Sequence, residues 1–326
     1  MTEPHVVVVA AENDLTADLV MSHLDGRAAV VRLDPGRLRA DIEVTGHHTA
    51  GHWHTTLRHG GTGVILDENC AVYWRKPTRP DAFAAAEADE RWRADENTTA
   101  LLGLLRSRPL KVWCNDPTTV AASRLKPTQL AAAAAVGLAV PDTLLTCDPA
   151  AARAFITNHD DRVVVKALTQ RHTTFIPTTH IRLDDDLSGI AGTVHYLQSL
   201  IPDRAFDARV TVVDDRVLTA AITTDGELDW RVAPDGACHY EPITAPPRIE
   251  RACVEHVRAL GLTYAALDLI VDHDGRWTYL ETNCAGEFGF IQTHTDLPIA
   301  QEIAALLIHG PARRAPESDR PAQARM

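Results

Sequence analysis

Apolar and polar positions in the first third of the chain alternate between two periods. Residues 6–10, VVVVA, form an unbroken apolar run of the kind buried on both faces in a parallel sheet. DLTADLVMSHL then places Leu15, Leu19 and Leu24 at helical spacing, and AVVRL (29–33) predicts a second strand. HWHTTL and VILDE flank GGTG, the pattern of a hairpin. AVYWRKPTRP (71–80) starts as a strand and stops where prolines remove ladder donors. Its YWRKP portion, with Trp74, Arg75 and Lys76, reads either as an edge strand with Trp74 packed inward or as a substrate or subunit surface. A long helix is predicted over roughly 81–106, where Ala, Glu, Arg and Leu dominate, and KVWCN (111–115) is another short strand. Strands alternating with helices predict a parallel α/β unit.

Beyond NDPTT the pattern changes. VAASRLKPTQLAAAAAVGL predicts helix, restarting at Pro127 as a first-turn residue and ending at Gly137. PDTLLT, RVVVKAL (162–168), THIRL and TVHYLQSLI have strand character. DARVTVV and RVLTAAI flank Asp214-Asp215 as a hairpin. Residues 249–260 place Ile249, Cys253, Val257 and Leu260 on one helical stripe, closed by Gly261. After Gly310 the chain loses its apolar anchors, which predicts a disordered tail over 311–326.

Composition narrows the function classes. The 326 residues are enough for two or three packed units, and 45% hydrophobic residues suffice for ordinary cores. A net charge of −12 without a long Lys/Arg cluster disfavours nucleic acid as a partner. The apolar run of the N-terminus is too short for a signal peptide or a membrane span, so a cytoplasmic location is expected. Six scattered cysteines form no CxxC pair and predict reduced thiols rather than a zinc site or disulfides.

The chemistry concentrates in YAALDLIVDHDGRWTYLETN. Asp274-Gly275 is a hairpin signal. If those two residues are the whole turn, His273 pairs with Arg276 and Asp268 falls opposite Glu281. Asn283 then shares the face of Glu281, while Leu267, Leu269 and Val271 point to a core. A three-residue turn would spoil this register. Two carboxylates facing each other repel by roughly 0.2–1 kcal/mol, which favours a bound cation over a bare polar face. Magnesium suits the set, because it takes one or two carboxylates and completes its shell with water and phosphates. Lys166, closing the apolar run VVV, and Lys126, opening a helix, are candidate phosphate partners, with Arg209 and Arg231 as further cations. Neither GxxxxGK[ST] nor GxGxxG occurs, so a nucleotide would need another architecture.

In order, the chain runs from an N-terminal α/β unit through a strand-borne lysine, LQSLI and DAR to Asp…Glu-x-Asn. That series resembles the ATP-grasp enzymes. More narrowly, YWRKPTRP, LDWR and GEFGFIQTHTDLPIA resemble the ATP-grasp ribosomal peptide maturases, the graspetide or microviridin-type macrocyclases, and the likeness extends to about residue 308. It implies an α/β fold with a pre-ATP-grasp domain over 1–118, a central subdomain over 119–200 and a C-terminal subdomain over 201–310. It implies ATP and Mg2+, with Lys126 and Lys166 on the phosphates and the backbone of Gln198, Ser199, Leu200 and Ile201 reading adenine. Asp207 would reach the ribose, Arg209 and Arg231 would act on the γ-phosphate or an acyl phosphate, and Asp268, Glu281 and Asn283 would hold the metal. It further implies a precursor-peptide partner with a leader and an acidic core, and a homodimer as a family expectation. The chain departs from the family in having Ser199 where a glutamate is usual, and Cys284-Ala285-Gly286-Glu287 where Pro-Asn-Gly-Gln is usual. An ATP-grasp ligase adding free amino acids and a non-catalytic ATP- or peptide-binding module are the competing readings. His52 and His54 in GHHTAGHWHTTLRH share a strand face and are a further metal candidate, set against the reading of a variable surface hairpin.

Overall fold

The computed structural model describes residues 3–84, 87–169, 176–224, 226, 228–234 and 236–312. The first unit comprises β1 (His5–Val9), α1 (Leu15–Leu24), β2 (Ala29–Leu33), β3 (Ile42–Thr49), β4 (His52–His59), β5 (Thr62–Ile65), β6 (Cys70–Trp74), α2 (Ala88–Arg106) and β7 (Val112–Cys114). Strands β2-β1-β6-β7 form the parallel sheet that the alternating pattern predicts. β6 lies between β1 and β7 and is therefore an interior strand, which corrects the edge-strand reading of YWRKP. The predicted hairpin is β4–β5, and β3 extends it to an antiparallel three-stranded sheet. The long helix begins at Ala88 rather than near 81, because Pro80–Ala82 close a short 3-10 turn first.

The middle of the chain supplies α3 (Pro117–Ser123), α4 (Lys126–Ala135), β8 (Thr143–Thr146), α5 (Pro149–Asn158), β9 (Val163–Lys166), β10 (Thr179–Ile181) and β11 (His195–Ser199). Pro127 sits in the first turn of α4, where its missing N–H costs nothing, and Gly137 follows the helix at φ +84°. The strands form an antiparallel sheet, β10-β9-β11-β8, and Ala152 and Ile156 of α5 pack on Val163 and Leu197.

The last unit runs β12 (Arg204–Val213), β13 (Arg216–Thr223), β14 (His239–Ile243), α6 (Pro247–Ala259), β15 (Tyr264–Asp272), β16 (Trp277–Asn283), α7 (Gly289–Thr295) and α8 (Ile299–His309). Its sheet, β14-β13-β12-β15-β16, is antiparallel throughout. Val213 pairs with Arg216, so Asp214-Asp215 is the tight turn expected. One face of the sheet sends Val210, Val212, Leu267 and Leu269 against the predicted stripe Ile249, Cys253 and Val257 of α6. Burying each such aliphatic side chain is worth roughly 1.5–3 kcal/mol. On the other face, Val213 and Tyr264 share a core with α8 and with Val6 and Val8 of the first sheet. The first and last units thus close on each other around α8. The tail predicted over 311–326 lies outside the described residues from 313 onward; before that, the Ala312 N–H donates to Asp214 at 2.7 Å.

The β15–β16 hairpin departs from the simple count in a way that cancels. Val271 pairs with Trp277 and Leu269 with Tyr279, leaving His273, Asp274 and Gly275 as a three-residue turn. The register then shifts between Asp268 and Leu269, where Leu280 is the extra residue of a β-bulge. The longer turn displaces the pairing by one position and the bulge restores it. Asp268 stands opposite Glu281, as the two-residue turn would have had it.

Candidate active site

Three neighbouring strands set one row of charges. Arg209 of β12 pairs with Asp268 of β15, which pairs with Glu281 of β16. Paired residues point to the same side of a sheet, so the three side chains stand in line on the face opposite α6. Arg209 Nη1 donates to Asp268 Oδ1 at 2.7 Å, and Asn283 Nδ2 donates to Asp268 Oδ2 at 3.0 Å. Glu281 receives Lys126 Nζ on one oxygen and Arg231 Nη1 on the other, the latter at 3.2 Å. Burial on its own would raise the Glu281 pKa. Lys126 and Arg231 outweigh it and hold the carboxyl well below the usual range.

The helix that brings Lys126 also fixes the strand beneath it. Gln129, one turn further along α4 and fully buried, donates to Thr282 O at 2.9 Å and accepts from Thr282 N at 3.1 Å. Thr282 lies between Glu281 and Asn283 on the opposite face of β16. Its hydroxyl meets Tyr279 at 2.7 Å and His256 at 2.9 Å. Desolvation drives His256 down to about 4, so it stays neutral and serves this hydrogen bond rather than proton transfer near neutrality.

The sheet β10-β9-β11-β8 forms the opposite wall of a cleft of about 600 Å³, counted to its open mouth. Val164, Lys166, Gln198, Ser199, Leu200 and Ile201 line one side, and Asp207, Asp268, Ile270 and Glu281 the other. Desolvation lowers the Lys166 pKa to about 8, with Glu281 acting against it. Burial raises Asp207 to about 6 despite an ion pair with Arg204 at 3.2 Å. In the 198–201 segment the Ser199 and Leu200 amides are already engaged, with Asp142 O and Arg162 O. Ile201 has an amide with no protein acceptor among the described residues, and Gln198 has a buried Oε1 without a donor.

The LDWR segment, Leu228–Arg231, also lines the cleft. Asp229 accepts Arg231 Nε at 2.8 Å and Nη2 at 3.0 Å, and its oxygen also caps the short turn by accepting from Arg231 N. Burial alone would raise Asp229; the Arg231 contacts reverse that and lower it. Trp230 packs on Phe290 of α7, with ring centroids 5.5 Å apart. The two sequence marks LDWR and GEFGF therefore touch.

The residues expected to bind ATP and metal meet here, whereas His52 and His54 lie on β4 outside the cleft. Gln198–Ile201, Lys166, Asp207, Arg231, Asp268 and Glu281 line the cleft, while Lys126, Arg209 and Asn283 bind the lining carboxylates directly. Gln129 and Asp229 were not singled out, and Arg75 and Glu287 were named without their ion pair. Asp229 stands two residues before Arg231 in the LDWR segment, but a lone buried amide such as Gln129 leaves no mark in a single sequence. Among the described residues no group of three or more His, Cys, Asp and Glu side chains is arranged to hold a metal, and the histidines of β4 gain no support as one. No helix among them is long and apolar enough to cross a membrane. The six cysteines are free thiols.

A RimK-like ATP-grasp domain profile matches residues 121–307, more than half of the chain. The chain belongs to the RimK-like ATP-grasp family. Solved structures resemble this ATP-grasp chain over nearly its whole length. The macrocyclase MdnC of Microcystis aeruginosa, bound with precursor peptide MdnA, is 25% identical at a TM-score of 0.76, covering 93% of this chain and 98% of that one. A RiPP-associated ATP-grasp ligase of Chryseobacterium gregarium, in complex with ADP and a leader and core peptide, shares 23% identity at 0.80, covering 96% and 98%. The ATP-grasp ligase PsnB, complexed with minimal precursor, Mg and ADP, shares 24% at 0.74, covering 95% and 99%. No curated protein matches the chain. The ATP-grasp fold and the structural likeness to a peptide macrocyclase both follow the expectation from sequence.

Proposed function

We propose that this chain is an ATP-dependent peptide macrocyclase. It would activate Asp or Glu side-chain carboxylates of a ribosomal precursor peptide and join them to Ser/Thr hydroxyls as esters or to Lys amines as amides. The observation that carries the reading is the in-register row Arg209–Asp268–Glu281, facing Lys166 across a cleft edged by Gln198–Ile201. The full-length likeness to a macrocyclase bound with its precursor peptide supports the peptide as substrate.

ATP would enter with its purine at the Ile201 amide and its phosphates toward Lys166 and Lys126. A peptide carboxylate oxygen attacks the γ-phosphorus, the bond to the β-phosphate oxygen breaks, and ADP leaves. The hydroxyl or amine then attacks the acyl carbon, loses its proton, and expels phosphate. The peptide loses one water per ring. Arg209 and Arg231 would lie against the oxygens that gain charge, and preorganised cations of this kind supply most of the stabilisation in phosphoryl transfer. Asp268, Glu281 and Asn283 fit Mg2+: their hard oxygens share one face, and two carboxylates leave the rest of the shell to water and phosphate. The ion would neutralise phosphate charge when bound. No side-chain nucleophile is required.

The family match favours a second reading, a ligase that adds free amino acids to a protein or peptide. Intact mass distinguishes the two. Co-expression with the small acidic open reading frame nearest the gene should give a peptide lighter by whole waters. That loss should vanish in Glu281→Gln, and mild base should reopen esters but not amides. A gain in amino-acid steps establishes the second reading instead. No mass change with any neighbouring peptide, together with no ATP binding, leaves a non-catalytic module.

A further inference from the structure

Cys284–Glu287 is the loop that leaves Asn283 and leads to α7. Each of its four carbonyls is taken by a side chain from a different strand or strand end. Asn115, just past β7, donates to Cys284 O at 2.9 Å. Arg75, just past β6, donates through Nη1 to Ala285 O. The Tyr264 hydroxyl donates to Gly286 O at 2.8 Å, and Arg209 Nη2 donates to Glu287 O at 3.1 Å. Space is equally tight: a Cβ on Gly286 would lie 2.7 Å from the Ala266 Cβ and 3.0 Å from Arg209 Nη2.

The Glu287 carboxylate is held entirely from the first unit. Arg75 Nη2 and Thr16 Oγ1 donate to one oxygen, the latter at 2.6 Å, and Lys76 Nζ donates to the other. The Arg75 side chain is only 2% exposed and lies 3.6 Å from Asp14. A guanidinium so buried is costly unless its partners are fixed. Arg209 links this loop to the site, because its other nitrogen holds Asp268.

We infer that Arg75 and Glu287 are positioning residues of the reaction centre. The ion pair fixes the loop, the loop carbonyl and Gly286 fix Arg209, and Arg209 fixes Asp268. The first unit thereby acts on chemistry carried by the last sheet. The inference rests on the proposed roles of Arg209 and Asp268 in phosphoryl transfer.

Glu287→Gln keeps the side-chain shape at a half-exposed position and removes the charge. Arg75→Lys keeps the charge but cannot reach Ala285 O and Glu287 together. For both we expect kcat per bound nucleotide to fall about ten- to a hundredfold, the scale of a small misplacement of reacting groups. Calorimetric Mg-ADP stoichiometry and KM for ATP should stay at wild-type values. The double variant should be no slower than the worse single variant, since both break one link. A crystal structure of Glu287→Gln should show Arg209 displaced from Asp268. Unchanged kcat per bound nucleotide with a lowered melting temperature overturns the inference and leaves the pair a mere tie between units. If the wild type cyclises no peptide, the proposed function fails. Peptide-independent ATP hydrolysis in the same variants then still decides the role of the pair.

Discussion

Lys166 and Asp207 face the same cleft with opposite displacements, and each makes a pH-dependent prediction. Lys166 titrates near 8 because burial disfavours its ammonium form. Triphosphate binding needs that charge. Mg-ATP affinity should therefore be full below about pH 7 and weaken as pH rises through 8. Lys166→Met should bind more weakly and lose this dependence, measured by calorimetry across pH 6–9.5. Asp207 has a folded-state pKa raised from 3.8 to about 6. A raised value means that its stabilising contribution is present below about pH 4 and lost as pH climbs to 6, after which its charge burdens the fold. At 1.36 kcal/mol per unit the burden is at most about 3 kcal/mol. Asp207→Asn should therefore melt higher than wild type at pH 8, and the gain should disappear near pH 4. A lower melting point at pH 8 would show that the Arg204 pair outweighs the burial. Glu281→Gln should cut turnover by about a hundred- to a thousandfold, as expected for lost electrostatic stabilisation. Its circular-dichroism melt should remain cooperative, because Gln129 still holds Thr282.

At the scale of elements, α4 links the charge row to the sheet. Gln129→Leu leaves Thr282 N and O unpaired in a buried place, each worth about 1–3 kcal/mol. Both melting temperature and turnover should drop, whereas Lys126→Met should cut turnover with little thermal effect. The contrast is read by pairing melts with steady-state rates. The strands that carry chemistry were legible in the sequence because DLIVD and YLETN flank the turn signal Asp274-Gly275, and DARVTVV flanks Asp214-Asp215. β3 was not, because IEVTGHHT alternates only over Ile42–Thr45 and is exposed beyond it. α5 was passed over because its Ala-rich stretch is short, and its packing on β9 and β11, not its own pattern, stabilises it. The interior place of β6 depends on which strands flank it, a fact about pairing partners that no local window contains.

For the whole molecule, order along the chain and proximity in space diverge. Arg75 and Glu287 are separated by more than two hundred positions, yet their side chains meet. The sequence marked both neighbourhoods, YWRKP and CAGEFGF, without showing that they touch. Helix α8 closes the first and last units on one shared core, and this forces the contact. Trimming the chain before Ile299 should therefore do more than remove a terminal helix. It should uncouple the units and yield protein that neither binds Mg-ADP nor melts cooperatively, as calorimetry and thermal scans would show.

The paired irregularities of the β15–β16 hairpin carry a consequence for any change in chain length there. The surplus residue in the turn and the surplus residue at Leu280 cancel in a count along the chain, yet each is accommodated where it stands. Deleting His273 alone should shorten the turn to Asp274-Gly275 and leave Asp268 opposite Glu281, because no pair of the ladder involves His273. Deleting Leu280 should remove the bulge and straighten β16 while Glu281 and Asn283 keep their face. Among proteins descended from a common hairpin of this kind, turn length and bulge are therefore expected to vary independently, while the pairing of Asp268 with Glu281 stays.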